Sequence, residues 1–253
     1  GSAHNPDPLR RADLSLLATV ALGSLCAALL DAASYGINQV YDLEIDRKNK
    51  PGRPLVSGVL GLQEAKRFSA LLYVLAVLPT WLVLIYPHTR WSQRLTAPPH
   101  AHECFWIFLA GMLFTLIYSV PSFGRTKRNG FWANLTIAVP RGCLLKVAGW
   151  SMVASVAHAE PWYIGSIFFL FLLGASSSKD FSDMRGDEAA GCRTLPVRYG
   201  VVRAARTIAP FFVLPWLLVP LGAWIPDPVD PSHPVLTGNR LLLTLLGGIL
   251  AAW

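Results

Sequence analysis

Apolar residues fall in long runs separated by short polar loops. The runs predict membrane-crossing helices over Leu14 to Gln39, Phe68 to Tyr86, Phe105 to Val120, Phe131 to Ala157, Trp162 to Ser178 and Thr207 to Ile225. At 1.5 Å per residue, roughly 20 apolar residues cross a hydrocarbon core about 30 Å thick. A last run, Leu241 to Trp253, rises only about 20 Å and predicts a shortened span. No run alternates polar and apolar residues as a barrel strand does, which leaves an all-α class. The expectation is one membrane-embedded domain over residues 1–253, a multi-span transmembrane helical bundle.

Polar residues interrupt this pattern at two places with the same layout. The first run ends in Asn38, Asp42 and Asp46, spaced i, i+4 and i+8, so that a helix carries their oxygens on one stripe. Arg47, Lys50 and Arg53 follow at once. The fifth run ends in Lys179, Asp180, Asp183 and Asp187, and the last two repeat the spacing of Asp42 and Asp46. Farther on, Gly61 to Arg67 has a counterpart in Gly200 to Arg206, again opening a span. The chain therefore predicts two pseudo-repeat halves that face their acidic helix ends across a central cavity.

Carboxylates at Asp42, Glu44, Asp46, Asp180, Asp183 and Asp187 would repel one another at a common mouth unless cations sat between them. Hard oxygen donors suit Mg²⁺, and two ions fill the need. A diphosphate bridging them gains from Arg47, Lys50, Arg53, Lys127 and Lys179. A site of this kind opening into hydrocarbon fits a polyprenyl diphosphate donor. Its C–O bond can ionise to an allylic cation as the leaving group is stabilised. Aromatic faces at Tyr35, Tyr41, Tyr118 and Phe181 are candidates to stabilise that cation. The competing expectation is a divalent-cation carrier or channel, which calls for acids spread through the membrane rather than gathered at one face. A CDP-alcohol phosphotransferase also uses membrane-surface aspartates, but its DG-x-x-AR signature is absent.

Composition fits this picture. Of 253 residues, 53% are hydrophobic and 15% charged, against roughly 25% charged in soluble domains. The net charge of +7 raises the question of nucleic acid, but its distribution follows membrane topology instead. Loops on one side hold the cations from Arg47 to Arg67, Arg125 to Arg128 and Lys179 to Arg206. The other side holds only Arg10, Arg11, Arg90, Arg94 and Arg240. The acidic motifs are thus expected on the cytoplasmic face of a cell inner or plasma membrane, with no nucleic acid partner. Trp81, Tyr86, Trp91, Trp106, Trp162 and Trp224 lie near span ends, as an interfacial belt does. Cys26, Cys104, Cys143 and Cys192 have no short paired spacing and predict neither a disulfide framework nor a zinc site.

The same residues carry a family resemblance over nearly the whole chain. Asn38 to Arg47, with Arg53-Pro54-Leu55-Val56-Ser57-Gly58, resembles the first aspartate-rich motif of the UbiA superfamily of intramembrane prenyltransferases. Lys179 to Asp187, with Gly191, Thr194-Leu195-Pro196-Val197 and Gly200, is similar to the second. Between them, Tyr118-Ser119-Val120-Pro121, Lys127-Arg128-Asn129-Gly130 and Asn134 resemble the loop linking the family's fourth and fifth helices. The resemblance implies about nine spans, Mg²⁺ dependence and transfer of a prenyl group to a lipophilic acceptor, aromatic or quinone-precursor in type. It places metal and diphosphate binding on Asn38, Asp42, Asp46, Asp180, Asp183 and Asp187, phosphate contacts on Arg53 and Lys127, and Tyr118 at the cavity. Gln39 stands where many members have Asp. Only about seven spans are legible here, so the resemblance implies that the family's first helix and its last one or two are absent.

Three charges lie deep in the apolar runs. Asp31 precedes Asn38 by seven residues, on the same helix face two turns deeper, while Arg141 and Lys146 sit inside the fourth run. Intramembrane charges usually pair and are candidates for function. Two expectations stand: a structural ion pair of Asp31 with Arg141 or Lys146, or a role for all three in the acceptor pocket. His100, His102 and Cys104 lie on the outer side and are expected at the surface. Pro210, Pro215 and Pro220 predict a curved helix lining the cavity.

Overall fold

The computed structural model describes residues 14–84, 91–189 and 191–252. The expectations for Arg10, Arg11, Tyr86, Arg90 and Trp253 lie outside these residues, as does the expectation of a belt for the Trp91 side chain. Among the described residues every regular element is helical, and pairing of the β type is confined to two isolated bridges.

Helix α1 (Leu14–Tyr41) is almost continuous with the short α2 (Leu43–Asn49). Asp42 N donates to Asn38 O at 2.9 Å and Asp46 N to Asp42 O at 2.8 Å, so helical bonding passes through the joint. This continuity keeps the acidic stripe on one face. Helix α3 (Leu62–Val77) starts where Glu64 Oε2 accepts the Gly61 N–H at 3.0 Å, satisfying a donor at the helix N-terminus. It packs along α1 around buried Ala33, Leu72 and Tyr73. Helix α4 (Glu103–Ser119) packs on both, and Tyr73 Oη lies 2.7 Å from Thr115 Oγ1 across the contact.

The fourth apolar run departs from the continuous helix expected. Helix α5 (Gly130–Ile137) passes into a π-turn, Ala138–Leu144, before α6 (Leu145–Ser151) resumes. Pro140 has no N–H to give and its ring crowds the preceding turn, so the wider turn relieves both. Gly142 makes the close approach possible: a Cβ there would stand 2.6 Å from Phe169 Cα on the next helix. The run also ends earlier than Ala157. Val153 and Ala154 N–H groups fold back onto Trp150 O at 2.9 Å, and Glu103 Oε2 accepts Val156 N–H at 2.7 Å.

Helix α7 (Ala159–Ala175) continues through a 3₁₀ turn, Ser176–Lys179, into α8 (Asp180–Ala189), carrying the second acidic motif past the apolar span. After the short α9 (Leu195–Tyr199) and α10 (Val201–Ile208), α11 (Pro210–Gly222) and α12 (Arg240–Ala252) pack together and against α7. The proline-bearing α11 was expected to line the cavity. It is instead an outer layer, with Leu218 O accepting the Tyr163 Oη proton at 2.8 Å and Phe212, Leu214, Leu217 and Leu221 exposed.

Four helical segments, Leu14–Tyr41, Leu62–Leu82, Ala159–Ala189 and Val201–Gly222, are long and apolar enough to cross a bilayer; Glu103–Ser119 and Arg240–Ala252 are shorter apolar helices. Large apolar side chains such as Leu17, Phe68, Leu71, Leu214 and Leu245 are exposed on these surfaces, as lipid contact requires. The chain is an integral membrane protein.

The end of the bundle away from the acidic motifs departs from two expectations. His102 and Cys104 are buried rather than at the surface, and His102 stacks on Trp81 with centroids 3.6 Å apart. Its ring nitrogens lie 2.8 Å from Trp81 O and 3.1 Å from Ala97 O. Arg94, counted as a loop charge, is fully buried and donates to Leu82 O at 2.9 Å and Thr19 Oγ1 at 3.2 Å. Chain ends of helices leave carbonyls without intrahelical partners, and these two side chains satisfy them.

Candidate active site

The two acidic motifs meet. A cavity of about 230 Å³ is lined by Asn38, Asp42, Asp46, Asp180, Asp183 and Asp187 together with Lys50, Arg53, Lys127, Lys179 and Tyr118. Each comes from a different stretch of chain: α1 and α2 bring the first stripe, α8 the second, α4 brings Tyr118, and the loop before α5 brings Lys127.

A backbone clasp fixes that loop to the second motif. Gly130 N donates to Arg193 O and Arg193 N to Arg128 O, both at 3.0 Å, across the bridge of Asn129 with Arg193. A Cβ at Gly130 would stand 2.8 Å from Arg193 O, so the clasp needs glycine there. Cys192 N–H donates to Asp187 O at 2.8 Å and turns the chain back after α8.

Cations already hold the first stripe. Lys127 Nζ pairs with Asp42 Oδ1, and Arg53 Nη1 pairs with Asp46 Oδ2. Burial pushes the Lys127 ammonium below the ordinary lysine range, with the Asp42 charge pulling the other way. Arg125 adds a third contact, donating from Nη2 to Tyr41 O at 2.5 Å and to Asp42 Oδ1 at 3.3 Å. Arg125 is the one non-glycine residue with positive φ among the described residues, at 43°, a strained backbone held by these bonds. Sequence reasoning counted it only as a loop charge. Its place between the end of α1 and the Asp42 carboxylate was not encoded in spacing.

Arg47, expected on the diphosphate, is set apart from this cavity. It pairs with Glu44 at 2.7 Å on the exposed face, rotated around the helix from the Asp42–Asp46 stripe. Tyr35 and Tyr118 line the cavity, whereas Tyr41 and Phe181 do not.

The donor set fits Mg²⁺ in kind, being carboxylate and amide oxygens in one cavity. Among the described residues, however, no three Asp, Glu, His or Cys side chains stand close enough together to hold an ion. Asp42 and Asp46 are turned onto Lys127 and Arg53.

Two further cavities lead inward. A middle one of about 310 Å³ shares Asn38, Tyr118 and Lys179 with the mouth, and an inner one of about 290 Å³ shares Ser34, Thr115, Pro140 and Arg141 with the middle. At their junction Arg141 Nη2 pairs with Asp31 Oδ1 at 2.7 Å, and Arg141 Nη1 lies 3.3 Å from Tyr35 Oη. Lys146, expected with them, lines neither cavity; it sits 4.6 Å over the Phe168 ring and donates to Arg141 O at 3.3 Å. The π-turn rotates the two cations onto different faces. Ser176, missed in the sequence, sits at the mouth beside Asn134, whose Nδ2 donates to the buried Ser177 Oγ at 2.5 Å.

The fold is thus an all-helical membrane bundle with two aspartate motifs at the mouth of a stepped cavity. Residues 9–245 match the sequence model of the UbiA prenyltransferase family, and the chain belongs to it, an enzyme family that transfers prenyl groups. Among curated relatives, the digeranylgeranylglyceryl phosphate synthase of Methanobrevibacter smithii is 25% identical over 91% of this chain and 76% of its own length. The chain spans only 58% to 65% of further archaeal synthases of that name. The 2-acylphloroglucinol 4-prenyltransferase of Humulus lupulus is 32% identical over 68% of this chain and 40% of its own length. A UbiA homologue from Archaeoglobus fulgidus, solved with GPP and Mg²⁺, matches with a TM-score of 0.69 and 22% identity, over 96% of this chain and 74% of that one, which establishes a common fold.

Proposed function

We propose that this protein transfers a prenyl group from a polyprenyl diphosphate, in the presence of Mg²⁺, to a lipophilic acceptor of the aromatic or quinone-precursor kind. The observation that carries this reading is the single cavity lined by both aspartate motifs and by Lys50, Arg53, Lys127 and Lys179. Acids without cations would suit ion passage; acids interleaved with cations suit a metal-bridged diphosphate. The relatives' names support the donor class, since each describes a prenylated product or a prenyl transfer.

Two Mg²⁺ ions held by Asn38, Asp42, Asp46, Asp180, Asp183 and Asp187 would supply charge neutralisation for the departing diphosphate. Lys127 and Arg53, released from Asp42 and Asp46, then turn their N–H groups to phosphate oxygens, with Lys50 and Lys179 beside them. Tyr118 and Tyr35 face the middle cavity, where their rings lie alongside the allylic carbon as it gains positive charge. The apolar lining farther in keeps water from that carbon. Asp31 and Arg141 form the polar part of the acceptor pocket. The mouth lies on the cytoplasmic side by the distribution of Lys and Arg.

The test is diphosphate release and product formation by the protein in membranes, with Mg²⁺ and prenyl diphosphates of graded length, with and without acceptors. Mg²⁺-dependent release with prenyl transfer is expected. Transport of Mg²⁺ across sealed vesicles without diphosphate release would replace this reading with the cation-carrier one.

A further inference from the structure

Arg125 holds left-handed backbone, with φ 43° and ψ 58°. A side chain makes that conformation costly, whereas glycine adopts it without strain. What offsets the strain is the guanidinium, whose side chain is only 16% exposed. Its Nη2 donates to Tyr41 O at 2.5 Å and to Asp42 Oδ1 at 3.3 Å. Tyr41 is the last residue of α1, so its carbonyl is a fixed point on the helix that carries the first acidic motif.

Lys127 follows two residues later, in the 3₁₀ turn Thr126–Arg128, and this turn is fastened on both sides. Upstream, Arg128 N donates to Arg125 O at 3.3 Å, and Arg125 ties the turn to the end of α1. Downstream, the bonds of Arg128 and Gly130 with Arg193 tie it to the chain after α8. An ammonium on a flexible four-carbon stem, buried to 10% exposure, stays over Asp42 only while its backbone is held. Lys127 and Arg125 meet the same oxygen, Asp42 Oδ1, yet Lys127 lines the mouth cavity and Arg125 does not. A ligand in that cavity touches Lys127, and Arg125 reaches it only through the loop.

We propose that Arg125 is a positioning residue: anchored on the last carbonyl of α1, it holds the Lys127 ammonium in the cavity and acts on the donor diphosphate through Lys127 alone. This rests on the prenyl-transfer reading and deepens it.

The experiment uses the full chain in lipid nanodiscs with Mg²⁺ and geranylgeranyl S-thiolodiphosphate, a donor analogue that resists ionisation, and measures its Kd by calorimetry. Arg125→Gln is expected to weaken binding by about tenfold when Lys127 is present, and by less than about twofold in a Lys127→Gln background, because residues acting as one unit are not additive. Amine acetylation read by mass spectrometry, with exposed Lys48 as reference, is expected to label Lys127 at least about fivefold faster once Arg125 is replaced. Arg125→Gly, which adopts this backbone without strain, is expected to fold and to reproduce both effects, and it serves where Arg125→Gln does not fold. Equal losses of affinity in the two backgrounds, or unchanged labelling of Lys127, overturn the inference and leave prenyl transfer standing. A wild type that does not bind the analogue removes the donor reading and this inference together.

Discussion

The Lys127 ammonium rests against the Asp42 carboxylate, joining residues 85 positions apart and coupling the loop before α5 to the end of α1. Both side chains are about nine-tenths buried, so the pair feels little solvent screening.

Lys127 is pushed below the ordinary lysine range by burial, and its proton is therefore lost at lower pH than that of a surface lysine. Its contribution to diphosphate binding is present while it is charged and falls as pH rises through the lowered value. The KM for the donor is expected to rise toward alkaline pH, with a midpoint below the ordinary lysine range. Lys127→Arg should flatten that rise, since arginine keeps its charge. A profile of donor KM against pH for the two proteins checks this.

Arg53 and Arg47 are expected to part company. Arg53→Gln removes the partner of a buried carboxylate and the proposed phosphate contact, and should raise donor KM by about 10- to 100-fold. Arg47→Gln breaks an exposed i, i+3 pair and should change KM less than about twofold, since such pairs contribute roughly 0 to 1 kcal/mol. Steady-state kinetics on both variants, side by side, reads the difference.

Replacing Asp42 or Asp187 by Asn should lower diphosphate release by at least about 100-fold, because each removes a proposed metal ligand, one from each acidic motif, at one cavity. Chelation by EDTA should abolish release and added Mg²⁺ should restore it. Ca²⁺, larger and less demanding in geometry, should restore less. Diphosphate release assayed after metal exchange measures both effects.

Gly142→Val tests the π-turn. The added side chain meets the Phe169 backbone, which cannot swing aside, and overpacking of this kind costs about 1 to 3 kcal/mol. Thermal unfolding in detergent should show a lower midpoint. Transfer to acceptor should fall more than donor binding, since Arg141 sits on the displaced turn.

The sequence by itself determined most of the apolar helices, the two acidic stripes and their following cations, because helix periodicity and hydrophobic length are local properties that any stretch of chain carries with it, while the break in the fourth run was not among them. Asn38, Asp42 and Asp46 share a face by spacing alone, and the structure brings that face to Asp180, Asp183 and Asp187. What the tertiary structure decided were the partners. Arg47 and Arg53 are alike in the sequence, yet one turns to Glu44 in solvent and the other to Asp46 in the cavity. Arg141 and Lys146 were indistinguishable as intramembrane cations until the π-turn at Pro140 sent one to Asp31 and the other to Phe168. Arg94 and His102 read as surface charge and surface imidazole, and both are buried on carbonyls freed by a helix end. Burial and pairing depend on which side chains other segments bring within hydrogen-bond reach, and a linear pattern does not carry that information.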